Sequence, residues 1–437
     1  MHIVQLAWPI VLANCAAPLL GLVDTAVIGR TGQTHELGAI ALGALIFSFL
    51  FWAFGFLRMG TTGFVARAAG AADTLEERAI AWRGVGLALA LGLGLLVLQI
   101  PLLWLALSIF DASPAVEAAA RNYLLIRIWS APATLAGYVL IGWLIGVGRS
   151  KDVLRIQLLL NGLNILLDVY FAAVLGWGLE GIALGTVVAE WLALAYGLRV
   201  LLRCMRERHV DQDALLPWSR LWDSAALLAL FSANRDLMIR TLLMLAAFAA
   251  FTNAGARFGD SVLAANHVLL QLISFSAFFL DGFAFAAEGL IGQAIGAHRR
   301  EVFDAAVIRS SCLSALTASL IALCLCLLGE QFISLLTDLS AVQEQARLAL
   351  PWAATYVALS FVAFQLDGVF VGAARTATMR DTSLVSVLGF AMFYVVLDAD
   401  RYPHALWLSF VAYVVLRGLT LLVKYPGLRR EAFARPD

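Results

Sequence analysis

The sequence predicts an all-α integral membrane protein: twelve transmembrane helices in two six-helix bundles related by a parallel repeat. Three observations carry this. The 437 residues are 62% hydrophobic and only 14% charged, with mean hydropathy +0.87, whereas soluble domains carry about 25% charged residues. Apolar runs of membrane-crossing length, separated by polar or Gly/Pro breaks, occur twelve times. An offset of 226 residues, as from Gly70 to Gly296, also pairs Leu37 with Leu263, Arg83 with Arg309, Gly142 with Gly368, Gly146 with Gly372 and Arg149 with Arg375. One offset that works at several separated places without gaps indicates an internal duplication. Formal net charge is zero, which leaves no electrostatic basis for nucleic-acid binding.

In chain order the predicted spans are 3–28, 37–66, 83–108, 119–146, 153–175, 180–203, 222–252, 262–288, 304–328, 346–373, 381–398 and 403–423. Leu12-Ala13-Asn14-Cys15 resembles a lipoprotein cleavage box. Asn14 is wrong before the cysteine and no basic n-region precedes it, so the first segment is read as an uncleaved helix. Twenty Lys and Arg residues follow the even-numbered spans and five follow the odd-numbered ones. By the positive-inside rule both termini are cytoplasmic. The polar midpoint gives an N-terminal lobe over 1–203, a cytoplasmic linker over 204–221 and a C-terminal lobe over 222–437. Each lobe has an even number of spans, so the lobes are expected to share orientation, related by a two-fold along the membrane normal with a central cleft.

The first span carries Asp24 together with Pro9 and Pro18. An aspartate within a span costs roughly 2.5–3.5 kcal/mol on insertion scales, and proline removes a backbone donor where it sits. A helix that keeps such a charge and two built-in bending points reads as a moving part. In the fifth span Asn161, Asn164 and Asp168 fall at i, i+3 and i+7, one helical face; in the sixth, Thr186 and Glu190 are at i, i+4. At about 1.5 Å rise per residue, Asp24, Asp168 and Thr186 belong to the outer half of the membrane and fit one cavity. A pair of buried carboxylates there suits proton exchange. The same oxygens suit a hard cation such as sodium, and polar glue between helices is the bland alternative. Under the repeat offset Asp24, Asn164, Asp168 and Thr186 fall on Ala250, Phe390, Tyr394 and Ala412, so this set belongs to the first half alone.

The second half holds Arg235, Asp236 and Arg240 early in its first span, Asp281 and Glu288 late in the next, and Asp367. Depth alone lets Arg235 pair with Asp281 or Glu288. His267 and Gln271 share one helical face, and Arg58, Arg127 and Arg417 are expected to snorkel or pair near the interface. The five cysteines show no CxxC spacing and read as small buried hydrophobes. No Ser/His/Asp set, HExxH, Walker motif or metal cluster is visible, so no enzyme, resident metal or cofactor is expected.

The segments PLLGLVDTAVIGR, LRMGTTGF, NILLDVYF, GIALGTVVAE, LDGFAFAAEG and LDGVFVGAARTATMRD together resemble the multidrug and toxic compound extrusion (MATE) family, most closely its DinF branch. The resemblance implies a V-shaped transporter working by alternating access. It implies proton- or sodium-driven export of amphipathic, often cationic compounds across the bacterial inner membrane. It carries a cation-coupling site onto Asp24, Asn164, Asp168 and Thr186, with Pro9 as the helix-1 hinge. In the second half Arg235 and Asp236 stand where the NorM branch has a glutamate, and Asp367 is out of step with that branch's aspartate. The chain is expected to act as a monomer on small-molecule substrates in the lipid bilayer. The alternative is a flippase for lipid-linked precursors on a related scaffold, which predicts a strongly basic cleft.

Overall fold

The computed structural model describes residues 2–31, 34–108, 113–207 and 216–434; the side chains of 2, 17–26, 29–31 and 34, those of Pro18 and Asp24 included, lie outside the described set. The helices are α1 (His2–Thr31), α2 (His35–Gly70), α3 (Thr74–Val97), α4 (Pro114–Gly146), α5 (Ser150–Val174), α6 (Gly178–Glu207), α7 (Ser224–Ala256), α8 (Asp260–Gly296), α9 (Arg300–Leu336), α10 (Ser340–Gly372), α11 (Thr376–Val396) and α12 (Pro403–Ala432). Among the described residues 11 helices, α2–α12, are long and apolar enough to cross a membrane, and no strand occurs. The backbone of α1 is continuous for 30 residues through Pro9 and Pro18, and its described apolar stretch is Ile3–Ala16. Large apolar side chains such as Val97, Leu335, Val395 and Val423 lie exposed, as suits helices that face lipid.

Several helices outrun their predicted spans. The ninth was expected over 304–328 and occupies Arg300–Leu336, because its polar first turn is held by Arg429 of α12, whose Nε donates to Asp304 Oδ1 at 2.7 Å. α3 starts at Thr74 rather than 83: Asp73 caps it by accepting from the Glu76 amide at 3.0 Å, and Arg83 donates to Glu76 at 2.7 Å. Hydropathy is blind to such amphipathic ends. α6 likewise runs to Glu207, into the predicted linker, of which 208–215 lie outside the described residues. The linker's far end, Trp218–Leu221, is a short helix whose terminal carbonyls accept from Arg83.

The chain divides into two compact units, Leu12–Ala229 and Leu230–Asp437, the latter joined by Met1–Val11. The sequence-based boundaries put all of helix 1 with the N-terminal lobe. In the structure its first eleven residues group with the second unit. The cause is a close approach: a Cβ on Gly282 of α8 would strike Val11 and reach within 3.4 Å of the Ala7 carbonyl. The unit boundary therefore falls two residues past Pro9.

The duplication is visible in detail. A Cβ on Gly142 would strike the Arg58 carbonyl, and one on Gly368 the Ala284 carbonyl; one turn on, Gly146 abuts Val65 and Gly372 abuts Ile291. Every one of these contacts repeats at the same offset. The turns repeat too. Ala72 (φ 56°) corresponds to His298 (φ 53°), and Gly148 (φ 79°) to Ala374 (φ 53°). In all four, the next amide bonds a carbonyl five residues back: Asp73 to Ala68, Arg299 to Ala294, Arg149 to Leu144 and Arg375 to Phe370, at 2.7–3.0 Å. This left-handed close satisfies the last helical carbonyls.

Candidate functional site

The site in the first unit is built on the contact between α5 and α6. Gly181 and Gly185, four residues apart, form the small-residue seam that lets two helices touch backbone to backbone. A Cβ on Gly181 would lie 2.8 Å from the Phe171 carbonyl carbon, and one on Gly185 would run into the Asp168 carboxylate and lie 3.0 Å from its amide. The seam thus seats α6 directly on Asp168. Immediately after Asp168 the backbone widens into a π-helical turn, Val169–Val174. Turns of this kind are frequent at functional sites because they re-aim neighbouring side chains.

Asn161, Asn164 and Asp168 are 7%, 2% and 0% exposed, as their shared face requires. Asn164 Nδ2 donates to Thr186 Oγ1 at 2.9 Å, and Thr186 Oγ1 donates to the Ile182 carbonyl at 3.1 Å. The Asn161 amide nitrogen has no hydrogen-bond partner among the described residues. The structure therefore brings together Asn164, Thr186 and Asp168 across one helix seam. These are oxygen-rich side chains fit for a proton or a hard cation. Asp24 lies on the backbone of α1, and its side chain is outside the described residues. Pro9 is buried within the continuous helix. Glu190, one turn past Thr186, turns to α4, where the Thr134 hydroxyl and the Arg127 guanidinium face it. Arg127 also lies over the Phe47 ring at 5.2 Å.

The expected pairing of Arg235 with Asp281 or Glu288 is not what forms. Arg235 bonds its neighbour Asp236 at 3.2 Å and Ser232 at 3.5 Å, and Asp236 also receives Arg380 of α11 at 2.8 Å. Depth from sequence fixes a level in the membrane but not the direction around each helix. Glu288 is buried and Asp281 half-buried. Arg417, expected near the interface, and Asp367 are both buried and joined to each other, and Asp367 also to Arg240. His267 does meet Gln271, at 3.4 Å. Of the five cysteines only Cys204 is buried; its Sγ accepts from Arg149 at 3.1 Å. Sequence reasoning missed the Gly181–Gly185 seam, although the spacing was legible.

The profile of the MatE family matches residues 9–170 and again 237–397, once in each half. DNA damage-inducible protein F of Escherichia coli is 41% identical over 421 residues, covering 95% of this chain and 90% of that protein. A probable multidrug resistance protein NorM of Deinococcus radiodurans is 31% identical over 309 residues, covering 68% of this chain and 64% of that one. Among solved structures, a MOP superfamily transporter from Pyrococcus furiosus superposes with TM-score 0.86 at 19% identity, covering 98% and 96% of the two chains. The Vibrio cholerae MATE transporter VcmN in its bent form gives 0.85 at 21%, covering 99% and 97%.

Proposed function

We propose that this chain, which belongs to the MatE family, is a cation-coupled exporter of small amphipathic compounds. It is a transporter and not an enzyme, and its relatives support multidrug export. In our reading the coupling ion, a proton or sodium, occupies the first unit at Asn164, Asp168 and Thr186, joined by Asp24, and no cofactor takes part. The observation that carries this is the buried Asp168 carboxylate, seated on Gly185 beside the Asn164–Thr186 hydrogen bond. Ion binding there would change the shape of α1 at Pro9, two residues from where the chain passes from one unit to the other. The substrate would then leave by alternating access. One proton crossing 100 mV contributes about 2.3 kcal/mol, enough for roughly fifty-fold accumulation. We read the protein as a monomer of the bacterial inner membrane, its termini cytoplasmic by the positive-inside count.

The flippase alternative requires many free in-span arginines. Of the main in-span arginines, Arg58, Arg127, Arg235, Arg240 and Arg417, Arg240 and Arg417 are tied to Asp367 and Arg235 to Asp236. Ethidium efflux from everted vesicles, compared under a pure pH gradient and a pure sodium gradient, tests the exporter reading. Efflux under one gradient alone identifies the ion, and none under either refutes coupling.

A further inference from the structure

The second unit buries a cluster that the exporter reading does not use. Arg240 of α7, Asp367 of α10 and Arg417 of α12 are 5%, 7% and 5% exposed. Both guanidinium groups donate through Nη2 to the same carboxylate oxygen, Asp367 Oδ2. None of the three has a counterpart under the repeat: their positions in the first half are Asn14, Ile141 and Trp191.

The charge does not close. Arginine stays protonated in any protein environment, so two buried cations face one buried anion and one positive charge is left over. Among the described residues, what else faces the cluster is neutral: the Tyr356 and Tyr413 hydroxyl groups, the Phe364 ring 5.7 Å from Arg417 Cζ, and Met244 Sδ 3.8 Å from Arg417 Nη1. Arg240 Nε has no hydrogen-bond partner among the described residues. An excess buried charge in a low-dielectric interior is costly unless a partner neutralises it. Two guanidinium forks braced by a shared aspartate, with one N–H left unused, form an anion receptor in need of an anion.

We propose that Arg240 and Arg417, braced by Asp367, form an anion-binding seat in the second unit for the sulfonate, carboxylate or phosphate group of an amphipathic molecule. The aromatic and thioether groups around it suit the apolar part of such a ligand. This goes beyond the exporter reading and is independent of it, since binding is measured without transport.

The test uses full-length purified protein with two probes, the arylsulfonate 8-anilinonaphthalene-1-sulfonate and the cation ethidium, with inorganic sulfate as competitor. Sulfate should displace the arylsulfonate and leave ethidium bound. Arg240→Gln, which brings the cluster to neutrality, should weaken sulfate-displaceable arylsulfonate binding about tenfold or more and leave ethidium affinity unchanged. Arg240→Lys should restore part of it. Asp367→Asn, which adds positive charge, should retain or strengthen arylsulfonate binding, the opposite of what a merely structural ion cluster would show. Circular dichroism and size exclusion qualify each variant, and sulfate displacement from the unmodified protein needs no variant at all. Repeating the titration in phosphatidylcholine and in phosphatidylglycerol nanodiscs separates the ligand sources. Weaker probe binding in the latter, abolished by Arg240→Gln, makes a lipid phosphate the occupant, and equal binding leaves a soluble anion. Arylsulfonate binding that sulfate cannot displace, or that Arg240→Gln leaves intact, overturns the seat.

Discussion

The α5–α6 pair of the first unit and the α11–α12 pair of the second occupy the same places in the repeat and are filled by opposite chemistry. Where the first pair has Gly181 and Gly185, the second has Trp407 and Val411, both buried. Where the first has Asn164 and Asp168, the second has Phe390 and Tyr394. In the first unit the glycines bring one backbone onto the carboxylate of the other helix. In the second, rings fill the space: Phe410 stacks on Phe251 at 4.3 Å and on Tyr356 at 4.8 Å, and Phe390 meets Tyr413 edge-on at 6.2 Å. Trp407 finds its own polar partner, donating to Asn266 Oδ1 at 3.0 Å. The lesson is that duplication preserved the α2–α4 and α8–α10 frame, down to its glycine contacts and left-handed turns, while one outer pair became a polar site and the other a packed core. A buried charged cluster of the second unit lies at Arg240 of α7, Asp367 of α10 and Arg417 of α12.

Swapping residues between the two pairs breaks this comparison most severely in the packed one. Phe390→Asn, which installs the first half's residue, should cost about 3–5 kcal/mol of stability from the lost ring, read as a fall in thermal midpoint of the purified protein. The reverse swap, Gly185→Val, drives a branched side chain into Asp168. Overpacking of this kind should cost about 1–3 kcal/mol and abolish efflux, whereas Val411→Gly should lower stability while efflux survives. Thr186→Val keeps the shape but removes the oxygen that Asn164 donates to. A loss of about 1 kcal/mol with impaired ion coupling is expected, and Thr186→Ser should restore both. The smallest change in stability belongs to Pro9→Ala, which restores a helix-forming residue with a backbone donor. The thermal midpoint should hold or rise slightly, and the rate of ethidium efflux should drop.

Much of this was legible in advance. The spans α2–α12, the duplication and the shared face of Asn161, Asn164 and Asp168 follow from period and offset, because the bilayer forces apolar length and helical spacing forces azimuth within one helix. What sequence could not fix was azimuth between helices. Arg235 was level with Glu288 but points elsewhere, and Arg417 lies in the interior with Asp367 instead of at the interface. Helix ends held by ion pairs, as at Asp304 and Arg429, escape hydropathy because their residues are polar. The π-helical turn after Asp168 carries no sequence mark that distinguishes it from an ordinary helix.

The central claim is that the first unit's buried carboxylate is the ion-coupling group, and the most direct measurement is ethidium efflux by Asp168→Asn in vesicles under an imposed proton or sodium gradient. Asparagine keeps the size, so the variant should fold and bind ethidium while gradient-driven efflux disappears. Efflux at the unmodified rate, from a variant present at equal level, would contradict the account.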